Sequence, residues 1–99
     1  MPRKDERISF LTEVHLEFAS GRRLARISDI SMGGCYMESI VQVHKGEHFN
    51  FDITLTSGES MRFEGEVAYV FEGMGFGVKF IDLNDHTRPF LLKIISEKS

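Results

Sequence analysis

The chain has 99 residues, 41% hydrophobic and 27% charged, with a formal net charge of −3. This is the composition of one globular domain with one core, which argues against a disordered chain. The negative balance argues against long nucleic acid as a partner, and no apolar run approaches the roughly 18 residues of a membrane span.

Residues 1–10 read as an arm, and 11–99 as a single domain. From Thr12 to Phe18, the apolar Val14, Leu16 and Phe18 alternate with Glu13, His15 and Glu17, the pattern of a half-buried strand. Ala19-Ser20-Gly21 turns the chain, and Arg22 to Ile30 returns as the second arm of a hairpin. Cys35 to Ile40 is a third, less regular strand, followed by a loop at His44–Glu47. Phe49, Phe51, Ile53 and Leu55 then alternate with polar residues before a turn at Ser57-Gly58-Glu59. Met61, Phe63, Gly65, Val67, Tyr69 and Phe71 fall on one face of a long fifth strand, with a bend or bulge expected at Gly65. After Glu72–Gly75, the residues Phe76, Val78 and Phe80 mark a sixth.

The period then changes. Phe90, Leu91, Ile94 and Ile95 lie on one face of a helix over about 85–97, with Pro89 tolerated in its first turn. A helix this short does not stand alone, so its apolar face must dock on the sheet. The fold class expected is all-β with one C-terminal helix. Closure removes unpaired strand edges, which favours a six-stranded antiparallel β-barrel.

Two stretches carry possible chemistry. Asp29-Ile30-Ser31-Met32-Gly33-Gly34 joins the second and third strands. Taken alone it reads as a tight turn, with short polar side chains bonded to nearby backbone and glycines supplying positive φ. Arg3-Lys4-Asp5-Glu6-Arg7 precedes the first strand, and alone it reads as a solvated charge run. The basic side chains gather towards the N-terminus, at Arg3, Lys4, Arg7, Arg22, Arg23 and Arg26.

Other constellations are weaker. Cys35 is the lone cysteine, which excludes an intrachain disulfide, and it reads as a small buried hydrophobe. His44 and His48 are four apart, but no ligand set completes a metal site, and none is expected. No assembled nucleophile and base suggests an enzyme, and Ser31 has no evident base. The phenylalanines alternate as core residues do, not as a platform for single-stranded nucleic acid.

Together the two polar stretches resemble the paired signature of the PilZ domain, a bacterial receptor for cyclic di-GMP. Arg3 and Arg7 match its Arg-x-x-x-Arg; Asp29, Ser31 and Gly34 match its Asp/Asn-x-Ser-x-x-Gly. Gly65-Glu66-Val67, Gly77-Val78-Lys79-Phe80 and the closing helix follow in the family's order. The resemblance implies a six-stranded antiparallel barrel with a C-terminal helix. It also implies a cyclic di-GMP site of Arg3, Arg7, Asp29, Ser31, Gly33 and Gly34. Arginine forks suit guanine O6 and N7 or a phosphate, and Asp29 suits the guanine N1–H and N2–H₂ donors. Ser31 suits a phosphate or base edge; Gly33 and Gly34 leave room for the ligand and offer N–H donors.

The function expected is a non-enzymatic, cytoplasmic receptor that needs no cofactor and no membrane insertion. Ligand binding orders the N-terminal arm over the barrel, and an unidentified protein effector reads the altered surface. The alternative is an adaptor of the same fold that binds protein but no nucleotide.

Overall fold

The computed structural model describes residues 7–98. They form β1 (Ile8–Phe18), β2 (Gly21–Ile30), β3 (Gly34–Glu38), β4 (His48–Thr54), β5 (Ser60–Phe71), β6 (Gly75–Ile81) and α1 (Thr87–Lys98). All strand pairs are antiparallel and close in the order β1-β2-β3-β6-β5-β4. β1 seals the barrel against β4 through Leu16↔Phe51 and Glu17↔Asn50. The predicted six-stranded barrel with one C-terminal helix is therefore the architecture of the chain. β1 begins at Ile8, so Ile8, Ser9 and Phe10, read from the sequence as arm, are strand; Ile8 and Ser9 pair with Ile30 and Asp29.

Inward side chains of every strand meet on the barrel axis. Leu16, Ile27, Met37, Phe51, Ile53 and Val67 are wholly buried there. Phe51, Phe63 and Phe80 stack with centroids 5.3–6.3 Å apart, within the range of favourable ring pairing. α1 closes one end of the barrel. Its Phe90, Leu91 and Ile94 are buried, and the Phe90 ring lies 5.9 Å from Phe63. Burial of each such side chain stabilises by about 1.5–3 kcal/mol, which is what holds this short helix in place. Asn84 starts it: Oδ1 accepts from the backbone N–H of His86 and Thr87 at 2.8 and 3.0 Å.

Two irregularities change which side chains face out. In β2, Ile27 pairs with Met37 and Asp29 with Tyr36, so Ser28 is an extra residue. Strict alternation from the buried Ala25 and Ile27 would send Asp29 inward. The bulge shifts the phase, burying Ile30 and turning Asp29 outward. In β5, Val67 pairs with Val78 and Tyr69 with Gly77, making Ala68 the extra residue. Val67 is buried, but Tyr69 and Phe71 are 42% and 55% exposed.

The sequence placed both aromatics on the buried face and the irregularity at Gly65, and neither holds. Gly65 sits in regular register with Phe49 and Phe80. A Cβ there would lie 2.7 Å from Val78 Cγ1 and 3.1 Å from the Phe49 ring, so the glycine makes room for packed side chains. Ile40, expected at the end of the third strand, lies beyond Glu38 and is 94% exposed.

Candidate functional site

The β1–β2 hairpin brings the two polar stretches together. β1 runs back along β2, so Ile8 pairs with Ile30 and Ser9 with Asp29. Arg7, one residue before the strand, therefore arrives beside the end of β2. Its Nη1 donates to Asp29 Oδ1 at 2.5 Å, with side chains 43% and 36% exposed. The contact spans 22 residues of sequence and is made by register alone. Both charges stay wet, so the pair adds little to stability, about 0–1 kcal/mol. Its geometry matters more: a fork of donors and a two-oxygen acceptor stand side by side on an open surface.

Ser31 is placed differently. It is buried, and its Oγ accepts from the N–H of Gly33 and Gly34 and donates to the Gly34 carbonyl, each at 3.2 Å. The Ser31 N–H also donates to that carbonyl, at 2.8 Å. The hydroxyl is fully used in shaping the turn, and so are the two glycine N–H groups expected to serve as donors.

Gly33 and Gly34 do not have the positive φ expected of them. Gly34 is required instead by strand contact, because a Cβ there would sit 1.9 Å from the Val78 carbonyl oxygen. Gly33 faces open space, with nothing nearer than Ser31 Oγ at 4.0 Å, and its carbonyl accepts from Phe80 N–H at 3.0 Å.

Around this lip, Cys35 lies beneath the Arg7–Asp29 pair with its side chain wholly buried. Burial pushes its thiol far up, the Arg7 charge opposing and the Asp29 charge adding to the shift. It is a core residue with no accessible thiolate. Tyr36 stands opposite Asp29 on β3 and faces out. Its phenol is raised from the ordinary value by desolvation first, then by Tyr69, Glu38 and Asp29, so it remains a neutral hydroxyl. On β6, Lys79 is exposed opposite Gly34 and makes no ion pair among the described residues.

Of the residues chosen from sequence, Arg7, Asp29, Ser31, Gly33 and Gly34 converge; Arg3 lies outside the described residues. Arg26 does not join them, since its guanidinium is held by Glu38 across the β2–β3 pair. Arg22 sits at the far end of β2, next to the turn. Sequence reading passed over Tyr36, Tyr69 and Lys79. Their position follows from cross-strand pairing and a bulge, for which periodicity carries no signal. It considered His48 only as a metal ligand, whereas the imidazole bridges Glu64 and Glu66 of β5, both at 3.1 Å. Among the described residues no cluster of His, Cys, Asp and Glu suits a metal ion, and no helix is long and apolar enough to cross a membrane.

A family model described as PilZ domain matches residues 2–97. No curated protein matches the chain. Among solved structures, it is similar to the PilZ domain of CeSA from a cellulose-synthesizing bacterium. The identity is 19% and the TM-score 0.71, covering 93% of this chain and 96% of that one. It is also similar to YcgR from Escherichia coli in complex with c-di-GMP, at 17% identity and a TM-score of 0.80, over 98% of this chain and 46% of that one. The PilZ domain of YcgR with c-di-GMP gives 17% and 0.78, over 99% and 92%. At these identities the likeness concerns the fold.

Proposed function

The chain belongs to the PilZ domain family, and on that premise we propose that it is a cyclic di-GMP receptor whose occupancy is read by a partner protein. The site consists of Arg3, Arg7, Asp29, Ser31, Gly33 and Gly34. The observation that carries the reading is the 2.5 Å contact between Arg7 and Asp29, which joins the two halves of the signature on one exposed lip. The two solved YcgR structures described with c-di-GMP support the choice of ligand.

The chemistry follows from the pair. A guanine edge presents acceptors at O6 and N7 and donors at N1 and N2. It can satisfy an arginine fork and a carboxylate separately, so a bound base offers each partner of the ion pair a matched replacement. Ser31 acts through shape: it keeps the turn fixed and low, so that Gly33 leaves the lip uncovered. Arg3 and Arg7 add positive charge for the two phosphates.

Binding draws the segment before β1, residues 1–7, over the lip and so changes the surface presented to an effector protein. No step breaks a covalent bond, and the expected setting is the cytoplasm. Calorimetric titration with cyclic di-GMP should give saturable heat, and residues 1–7 should gain protection in hydrogen exchange. Absence of heat at saturating ligand overturns the reading; heat without added protection overturns only the movement of the arm.

A further inference from the structure

We infer that Tyr36 and Tyr69 form a stacking shelf for a guanine of the bound dinucleotide, an inference that rests on the receptor reading above. The two tyrosines contact the base directly and are continuous with the Arg7–Asp29 lip.

Strand register sets the shelf. Asp29 pairs with Tyr36, Tyr36 with Gly77, and Gly77 with Tyr69, giving one row across β2, β3, β6 and β5. Neighbouring strands lie about 4.8 Å apart, so Tyr36 is a single strand spacing from Asp29. Both bulges act on this row. The one at Ser28 turns Asp29 outward, and the one at Ala68 does the same for Tyr69. Without either, one of these residues would point into the barrel.

The floor of the shelf is built of glycine. A Cβ on Gly77 would fall 2.2 Å from Tyr69 Cζ, and one on Gly75 would fall 3.0 Å from Tyr36 Oη. The rings thus lean over β6 from its two sides, with centroids 6.5 Å apart and planes inclined by only 29°. Phe71 backs them, 5.4 Å from Tyr69 and 6.3 Å from Tyr36. Both glycines are buried beneath while Tyr69 stays 42% exposed, so ring surface faces solvent.

Aromatic cover over strand glycines stabilises a sheet by itself. That role needs apolar bulk and no particular π face. A purine needs the π face, because stacking depends on it. Asp29 and Arg7 read base edges but offer no surface for a ring to lie on. A dinucleotide has two bases, and the neighbouring shelf supplies that surface.

The composition provides a direct readout. The chain has two tyrosines and no tryptophan, so its tyrosine emission, excited beyond the absorption of phenylalanine, comes from Tyr36 and Tyr69 alone. Saturating cyclic di-GMP should quench that emission in the unaltered protein, after correction for the light the nucleotide itself absorbs. Tyr36→Phe and Tyr69→Phe should keep affinity within about twofold, since the ring is retained. Tyr36→Leu and Tyr69→Leu keep apolar cover and discard the π face; each should weaken binding about five- to hundredfold. If calorimetry shows binding while emission is unchanged and the leucine variants bind like the parent, the shelf is refuted and the receptor reading stands. A protein that takes up no dinucleotide refutes both. The emission test uses the unaltered protein and does not depend on how well the variants fold.

Discussion

The β4–β5 wall and the β2–β3 lip are both antiparallel, exposed on one side and rich in charge, yet they are built on opposite principles. The wall is regular: seven pairs run from His48↔Glu66 to Thr54↔Ser60 without a shift. Its outer polar side chains bond to one another across strands, with Arg62 between Glu17 and Asp52 and His48 between Glu64 and Glu66. The lip has a bulge, a buried hydroxyl turn and a glycine pressed against a neighbouring strand. Its Arg7–Asp29 pair is flanked by half-exposed rings and by Lys79, which makes no ion pair among the described residues. A regular ladder satisfies its own side chains across strands. An irregular one leaves complementary groups facing outward, where a ligand can use them.

The sharpest way to probe the contrast is to add one methyl group on each side. Gly34→Ala forces a Cβ to within 1.9 Å of the Val78 carbonyl, backbone that cannot rotate away. A loss of about 3 kcal/mol in denaturant unfolding is expected, the upper end of ordinary overpacking. Gly58→Ala in the wall's turn meets nothing within 4 Å but has φ +95°. It should cost less, about 1–2 kcal/mol, from backbone strain alone. Equal losses would mean that strand contact at Gly34 is not decisive.

Ser31→Ala comes next. It removes a buried hydroxyl with three hydrogen bonds, leaving two glycine N–H groups without that acceptor. A stability loss of about 1–3 kcal/mol is expected in the same assay. Nucleotide affinity should fall as well, because the turn loses its shape. Unchanged affinity would detach the turn from the site.

Arg7→Ala moves the effect from stability to binding. It should weaken cyclic di-GMP by about 1–3 kcal/mol in calorimetry, the range for a lost bidentate guanine contact. The melting temperature should hardly move, since the broken pair is solvent-exposed. Arg62→Ala, its counterpart in the wall, should leave affinity untouched.

The smallest expected effect is a pH dependence in the wall. Hydrogen bonding to Glu64 first, then Glu66, raises the His48 imidazole above its ordinary 6.5, with desolvation opposing. A raised folded-state value means that protonation favours the folded form. The stabilisation is complete below about 6.5 and fades as pH rises through the raised value. His48→Gln should remove this slope from the melting temperature. NMR titration of His48 should show a midpoint above 6.5 in the parent protein.

Much of the barrel was legible before any coordinates. Val14 and Leu16, or Phe49, Phe51 and Ile53, alternate with polar neighbours because every second side chain of a strand faces the core. The helix face of Phe90, Leu91 and Ile94 was equally plain, since its period differs from that of a strand. Legibility failed where the period breaks. Tyr69 and Phe71 continue the pattern of Val67 by number, yet one extra residue at Ala68 reverses them. Gly33 and Gly34 invite a reading in terms of φ, but Gly34 is there because of β6, some 44 residues later in the chain.

Local order therefore carried the strands, their turns, the closing helix and the two polar motifs, because each depends on residues a few positions apart. The tertiary structure alone decided that Arg7 meets Asp29, that the Ser31 hydroxyl turns inward, and that two tyrosines from different strands share a glycine floor. Those facts depend on register and bulges, which are set by how six strands close around one core rather than by any stretch of neighbouring residues.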